Sequence, residues 1–173
     1  MRASAFWKAV TVDRSNFLES LVGLLAENGI RYCVIGGQAV NAYVEPLVSL
    51  DLDLVVAVEQ LGKAEALLGE HFIVENWPHS LNVSAPDSKL RVQIQTDPRY
   101  FPFVERASKR EVLDVRLPVA SLPDILQGKI WAATDEECRN GKRRKDLLDI
   151  ERIVEQFPEL RGAVPPEIAE QLS

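Results

Sequence analysis

The run VIGGQAVNAYVEPLVSLDLDLVV, Val34 to Val56, constrains the fold more than any other part of the chain. An apolar stretch, RYCVI, runs into Gly36 and Gly37; QAVNAYV follows as a short helix that stops ahead of Pro46. Asp51 and Asp53 then interrupt an otherwise apolar segment, LDLDLVVAV. A strand that turns Leu50, Leu52 and Leu54 to the core puts both aspartates on its other side, with Cα atoms about 6.5–7 Å apart. Left unpaired, two carboxylates so close raise one another's pKa and cost stability. They can instead converge on one divalent cation, or bracket a pair roughly 3.5–4 Å apart. Oxygen ligands without a nearby His or Cys suit Mg²⁺ or Mn²⁺ better than zinc. The alternative is a solvated face on an edge strand.

The glycine pair supplies a second component. Where a strand turns into a helix, missing side chains let a ligand approach the backbone, and free N–H groups with the helix dipole favour phosphate. The alternative is a tight turn with no ligand. Strand, glycine pair, helix and DxD strand together read as a phosphate cradle beside a metal site, an arrangement suited to phosphoryl or nucleotidyl transfer.

The remainder of the chain sets the context. Its 173 residues, 46% hydrophobic and 27% charged, fit one domain with its own core. A formal net charge of −6 argues against a chain-wide nucleic-acid surface, although GKRRK, Gly141 to Lys145, is a local basic patch. Cys33 and Cys138 lack CxxC spacing and point to neither a disulfide nor zinc. MRASAFWKAV has no secretory apolar core, and no run is long enough to span a membrane, so the expected compartment is the cytoplasm.

Periodicity predicts a first helix capped by Asp13 or Ser15, with Phe17, Leu18, Leu21, Val22, Leu24 and Leu25 on its apolar face and Gly29 at its end. After the DxD strand come a helix (EQLGKAEALLGEH), strands FIVEN, LNVSA and KLRVQIQT, and PRYFPFVERAS, a short helix or irregular connector. EVLDVRLPVA reads as a single extended segment, an edge strand because of Pro118. From Ser121 the pattern turns helical: SLPDILQGKIWAATDEE, RRKDLLDIERIVEQF and a tail helix near PPEIAEQL. The expected fold class is α/β, a mixed sheet with flanking helices over residues 1–112. A helical extension over 113–173 packs on it as part of a single structural domain.

GGQAVNAYVEPLVSLDLDLVV resembles the signature of the nucleotidyltransferase superfold, the polymerase-beta-like family. LQGKIWAATDEECRNGKRRKDLLDIERI resembles the K…KD..D block of the abortive-infection toxin type of nucleotidyltransferase. The two blocks cover under a third of the chain and stand in the expected order. The resemblance implies that Gly36 and Gly37 hold the β- and γ-phosphates of an NTP and that Asp51 and Asp53 bind Mg²⁺. It also implies that Lys129 reaches toward the triphosphate and that Asp146, following Lys145, is a late catalytic acid. Lys145 joins the nucleotide-binding set, and Ser49 stands where a Ser or Thr is common, two residues before the first aspartate. Members usually carry a third carboxylate on a later strand, as metal ligand or base. Here KLRVQIQTD offers Gln93 or Gln95, with Asp97 a substitute if the strand ends in a bulge.

The implied function is Mg²⁺-dependent transfer of NMP from an NTP to a tRNA, other RNA or protein acceptor, in a toxin–antitoxin or phage-defence pair with an antitoxin partner. The alternatives are a catalytically impaired nucleotide-binding or partner module of the same fold, and a plain interaction protein. Individual residues also have simpler readings. Lys129 could lay its stem along the core from the surface. Lys142 and Arg143 could be a solvated helix start, and Asp146–Arg143 and Asp149–Arg152 surface pairs of little energetic weight. His71 and His79 read as structural, and Trp7, Trp77 and Trp131 as core or interface.

Overall fold

A computed structural model of the protein describes residues 16–172. The helix caps expected at Asp13 or Ser15, and Trp7, lie outside the described residues. Helix α1, Phe17–Glu27, buries Phe17, Leu18, Leu21 and Leu25 at helical spacing and gives way to Gly29, whose φ of +64° suits a helix terminus. The strands β1 (Tyr32–Ile35) and β2 (Asp51–Val56) flank helix α2 (Gly36–Asn41) in sequence. A 3-10 turn, Val58–Gln60, leads into α3 (Leu61–His71), followed by β3 (Ile73–Trp77), β4 (Ser80–Ser84) and β5 (Arg91–Gln95). A 3-10 stretch, Pro98–Arg106, precedes β6 (Ser108–Val112) and β7 (Val115–Val119). Helices α4 (Leu122–Thr134) and α5 (Asn140–Gln156), a 3-10 turn (Pro158–Ala163) and α6 (Pro166–Ala169) complete the described chain.

The strands form one mixed sheet in the order β3-β4-β5-β2-β1-β7-β6. Strand β2 runs antiparallel to β1 and parallel to β5, and β1 runs parallel to β7. All four residues of β1 are buried, as a strand covered on both faces requires. With β2 between β1 and β5, Asp51 and Asp53 do not lie on an edge strand, and that alternative is overturned.

The segment expected as one edge strand is a hairpin. Leu113 and Asp114 adopt φ of 55° and 64°, the left-handed pair of a two-residue turn whose twist matches the flanking strands. Val112 then pairs with Val115 and Lys109 with Pro118. The edge is β6, while β7, with its proline, lies between β1 and β6. The division expected at residue 112 thus falls inside this hairpin, and the sheet continues beyond it. Helix begins at Leu122, where the Ser121 hydroxyl accepts the Asp124 N–H at 3.4 Å and Pro123 sits in the first turn.

Helix α4 buries Ile125, Leu126, Ile130 and Ala133. Helix α5 buries Ile150, Ile153 and Val154, and with them Asp146 and Asp149. Carboxylates are seldom buried unless paired, so these two mark the helix face as more than packing surface. Helix α2 touches β2 and both α4 and α5, which brings the glycine turn, the aspartate strand and the late helices together.

Candidate active site

At the end of β1 the chain turns through Gly36 with φ +71°. Ile35 is the register partner of Asp53, so the turn lies directly against that aspartate. A Cβ at position 36 would collide with Asp53 Oδ2 and lie 3.1 Å from both Asp53 Cβ and Cγ. Glycine is therefore required there twice, by the backbone angle and by the neighbouring carboxylate. Gly37 differs: a Cβ there would meet only Asp149 Oδ2, at an ordinary 3.8 Å.

The two aspartates also differ. Asp51 pairs in register with Arg91 on β5 and accepts from Arg91 Nε at 2.8 Å, with both side chains well exposed. Ser49 Oγ accepts the Asp51 N–H at 3.3 Å, and Gln38 donates to the Ser49 carbonyl at 3.2 Å, which fixes the entry to β2. Asp53 is partly open to the cleft, and no described residue hydrogen-bonds or ion-pairs with its carboxylate. Burial pushes its pKa up to about 6; Lys129 pulls it down from a distance and Asp51 pushes it further up.

Across the parallel ladder, Gln93 is the partner of Asp53, and Gln95 of Val55. The Gln95 side-chain oxygen accepts the Asp97 N–H at 3.1 Å. Asp97 itself caps the 3-10 stretch through the Arg99 N–H at 3.0 Å and pairs with the Arg99 guanidinium at 2.8 Å. The bulge that would swing Asp97 toward the aspartates does not form, because β5 keeps its register with β2 through Gln95 and Asp97 is committed to Arg99.

The facing wall comes from α4 and α5. Lys129 is not a surface lysine: its side chain is 12% exposed, with Nζ 3.0 Å from Asp146 Oδ1 and 2.9 Å from Asp149 Oδ2. Burial alone would depress its pKa, but Asp149 and Asp146 outweigh burial and hold it above the ordinary lysine value. Asp146 also takes Lys142 Nζ at 3.3 Å. The expected Asp146–Arg143 pair does not form, since Arg143 donates to the carbonyls of Ala133 at 3.1 Å and Asp135 at 2.6 Å.

The Asp149–Arg152 pair does form, at 2.7 Å, but it is buried rather than superficial. Arg152 continues to Asn41 Oδ1 at 3.0 Å and the Glu45 carbonyl at 2.6 Å. Asn41 in turn holds both backbone groups of Leu47, at 2.7 and 3.0 Å. Asp149 is the network member that the sequence reading left on the surface; its spacing of three residues from Asp146 puts both on one helix face.

Gly36, Gly37, Ser49, Asp51 and Asp53 line one side of a cleft of about 870 Å³, and Lys129, Lys145 and Asp146 line the other. Lys145 and Arg139 are exposed on the cleft wall with no ion-pair partner among the described residues. No third His, Cys, Asp or Glu joins the aspartates in a metal-binding cluster among the described residues. A half-buried carboxylate with no partner among the described residues, beside a second one held by an exposed arginine, nevertheless suits a hard cation, with remaining ligands drawn from substrate oxygens or water.

This architecture is the nucleotidyltransferase fold. ANT(2")-Ia, solved in complex with adenylyl-2"-tobramycin, superposes with a TM-score of 0.60 at 13% identity, over 82% of this chain and 88% of that one. The lincosamide antibiotic adenylyltransferase LnuA, lincomycin-bound, gives 0.55 at 15% identity, over 83% and 99%. An antigenic nucleotidyltransferase-like protein from Paracoccidioides brasiliensis gives 0.53 at 16%, over 82% and 75%. Likeness at these identities concerns the fold. No curated protein matches the chain in sequence.

The family follows from residues 71–171, more than half of the chain, which match the model of the nucleotidyl transferase AbiEii toxin of type IV toxin–antitoxin systems. The chain belongs to that family. The matched region starts beyond Asp53, so it contains the Lys129–Asp146–Asp149 cluster but not the glycine turn. No helix among the described residues is long and apolar enough to cross a membrane.

Proposed function

We propose that the protein transfers a nucleoside monophosphate from an NTP to a hydroxyl on an RNA or protein acceptor, using Mg²⁺ or Mn²⁺ held by Asp51 and Asp53. The observation that carries this reading is Asp53: a half-buried carboxylate without a partner among the described residues, pressed against the Gly36 turn and facing a cationic wall. A divalent ion bound there supplies neutralising charge for the phosphates and polarises the reacting oxygen. Gly36 and Gly37 leave the main chain open to the β- and γ-phosphates, and Lys145 with Arg139 offsets their charge. Ser49 holds the start of β2 and with it the direction of Asp51.

Lys129 acts through its neighbours in this reading. Salt-bridged to both Asp146 and Asp149, it fixes two carboxylates on the cleft wall instead of reaching freely for triphosphate. In the reaction the acceptor oxygen bonds to the α-phosphorus, the bond from that phosphorus to the bridging oxygen breaks, and pyrophosphate departs. The acceptor proton passes to Asp146 or Asp149, or to water, because Gln93 beside Asp53 cannot take it. Family membership supports an antitoxin as the regulatory partner, and NTP as substrate supports a cytoplasmic activity.

Purified protein incubated with Mg²⁺, each labelled NTP, and total cell RNA and protein is expected to label a macromolecule. Asp51→Ala or Asp53→Ala should lower transfer by about 100-fold or more. Absence of transfer with every NTP would overturn the reading. The glutamine at position 93 motivates a second one, a nucleotide-binding module without turnover. Calorimetry showing tight NTP binding without product, and product appearing in Gln93→Asp, would decide for it.

A further inference from the structure

Between α2 and β2, residues 45–49 belong to no helix or strand, and no backbone–backbone hydrogen bond holds them among the described residues. Burial does not fix them either, since Leu47 and Val48 are 48% and 65% exposed. Side chains hold this loop instead. Asn41 grips both backbone groups of Leu47, and the buried Gln38 donates to the Ser49 carbonyl. Asn41 Nδ2 also donates to Gln38 Oε1 at 3.2 Å, so the two amides steady one another. The remaining support comes from α5, where the Arg152 guanidinium donates to Asn41 Oδ1 and to the Glu45 carbonyl.

The chemistry of that group matters. Arg152 is largely buried and divides its donors among three acceptors: the Asp149 carboxylate, an amide oxygen and a main-chain carbonyl. A planar fork of five donors spans such a set, whereas an ammonium on a flexible stem acts as a point charge. The same contacts orient the Asn41 amide, whose oxygen must face both Arg152 and the Leu47 N–H.

Asp51 is the aspartate that depends on this support. Asp53 is flanked in the sheet by Ile35 and by Gln93, but Asp51 has a ladder partner on β5 alone. Its carboxylate is half exposed and held by the exposed Arg91, so the main chain entering β2 aims it. Ser49, which takes the Asp51 N–H, is the last residue of the supported loop. A misplacement of about 1 Å in such a group is enough to disable a site.

We propose that Arg152, which does not line the cleft, is a positioning residue for the aspartate pair. Through Asn41 and the Glu45 carbonyl it sets the approach to β2, and with it the direction of Asp51. The inference rests on the nucleotidyltransferase reading and adds a residue that touches neither substrate nor metal.

The test is Mn²⁺ titration of the full chain by electron paramagnetic resonance, with amide hydrogen exchange at Leu47 read by NMR. Asp51→Ala marks the part of the signal that belongs to the aspartates. Arg152→Lys and Asn41→Ala should each weaken Mn²⁺ binding about 10-fold or more and speed exchange of the Leu47 N–H. The double variant should lose no more than the worse single one, because both act through one loop. Ile168→Ala, which removes buried volume from α6, should melt lower yet bind Mn²⁺ as the wild type does. Arg152 and Asn41 variants that melt lower but bind Mn²⁺ normally would overturn the proposal, as would losses that multiply in the double variant. Should Arg152→Lys not fold, Asn41→Ala carries the same two readouts. A wild type that binds no Mn²⁺ removes the metal reading itself, and exchange alone then judges the brace. Leu47 slower than Val48 in the wild type, and equal to it in the variants, upholds the brace; equal rates in the wild type overturn it.

Discussion

At the scale of single residues, the two glycines and the two aspartates look like symmetrical pairs and are not. Alanine at Gly36 must accept a left-handed φ and a clash with Asp53, whereas alanine at Gly37 meets Asp149 at normal contact distance. Gly36→Ala is expected to cost about 2 kcal/mol or more in urea melts, and Gly37→Ala less than about 1. Similar costs for both would contradict the geometry. Asp53 offers a sharper test. Its pKa is raised from 3.8 to about 6, so between those values the folded protein holds more proton than the unfolded chain. Stability of the metal-free protein accordingly falls as pH rises through this window, and the penalty is complete above it. Asp53→Asn should stabilise the metal-free protein by about 1–3 kcal/mol at pH 8 and have little effect near pH 3.5, while transfer is lost. A variant less stable than wild type at pH 8 would show that Asp53 is not an unpartnered carboxylate. The motif spacing made this cluster legible, but the inequality within it was not. Arg91, which separates Asp51 from Asp53, comes from a strand far along the chain, and register is set by tertiary pairing.

Among elements, α4 and α5 are joined by charge as well as by packing. In Lys129→Met, Asp146 keeps Lys142 and Asp149 keeps Arg152, so the expected loss is about 2–4 kcal/mol rather than complete unfolding. The pH dependence follows from the raised lysine pKa. Its contribution is fully present below the unfolded value of 10.5 and fades only as pH rises through the higher folded value, so wild type and variant should converge only in strong alkali. Melts that differ equally at every pH would show that the stem's packing, not its charge, matters. Apolar periodicity made both helices readable and the resemblance singled out Asp146, but Asp149 stayed a surface charge because periodicity has no access to the partner across the interface. The β6–β7 hairpin escaped for another reason. Its turn uses Leu113 and Asp114 in a conformation normally announced by Asn-Gly or Asp-Gly.

For the whole molecule, the strand and helix order led to the mixed α/β class, while the sheet's continuation past residue 112 did not follow from it. Strand β7 pairs with β1, and α5 adds Ile150, Ile153 and Val154 to the buried core. A chain ending at residue 120 keeps every described strand and loses α4, α5 and α6, along with the cover they provide. It should lack the near-ultraviolet circular dichroism of a fixed core and bind a hydrophobic dye. A sharp cooperative melt of that fragment would show that the helices are dispensable. The polar cleft was only half legible: its motif-bearing half is local in sequence, whereas the sheet face beyond it is assembled from residues that carry no motif at all.

Arg152 ties α5 to Asn41 and the Glu45 carbonyl, on the segment leading into the aspartate strand. Ribosomes deliver that segment early and its anchor late. Until α5 emerges, the nascent polypeptide thus holds the acidic residues without the brace that sets the loop before them. An interrupted message would release a product without this brace. The braced loop therefore waits on α5, which the ribosome delivers long after the aspartates.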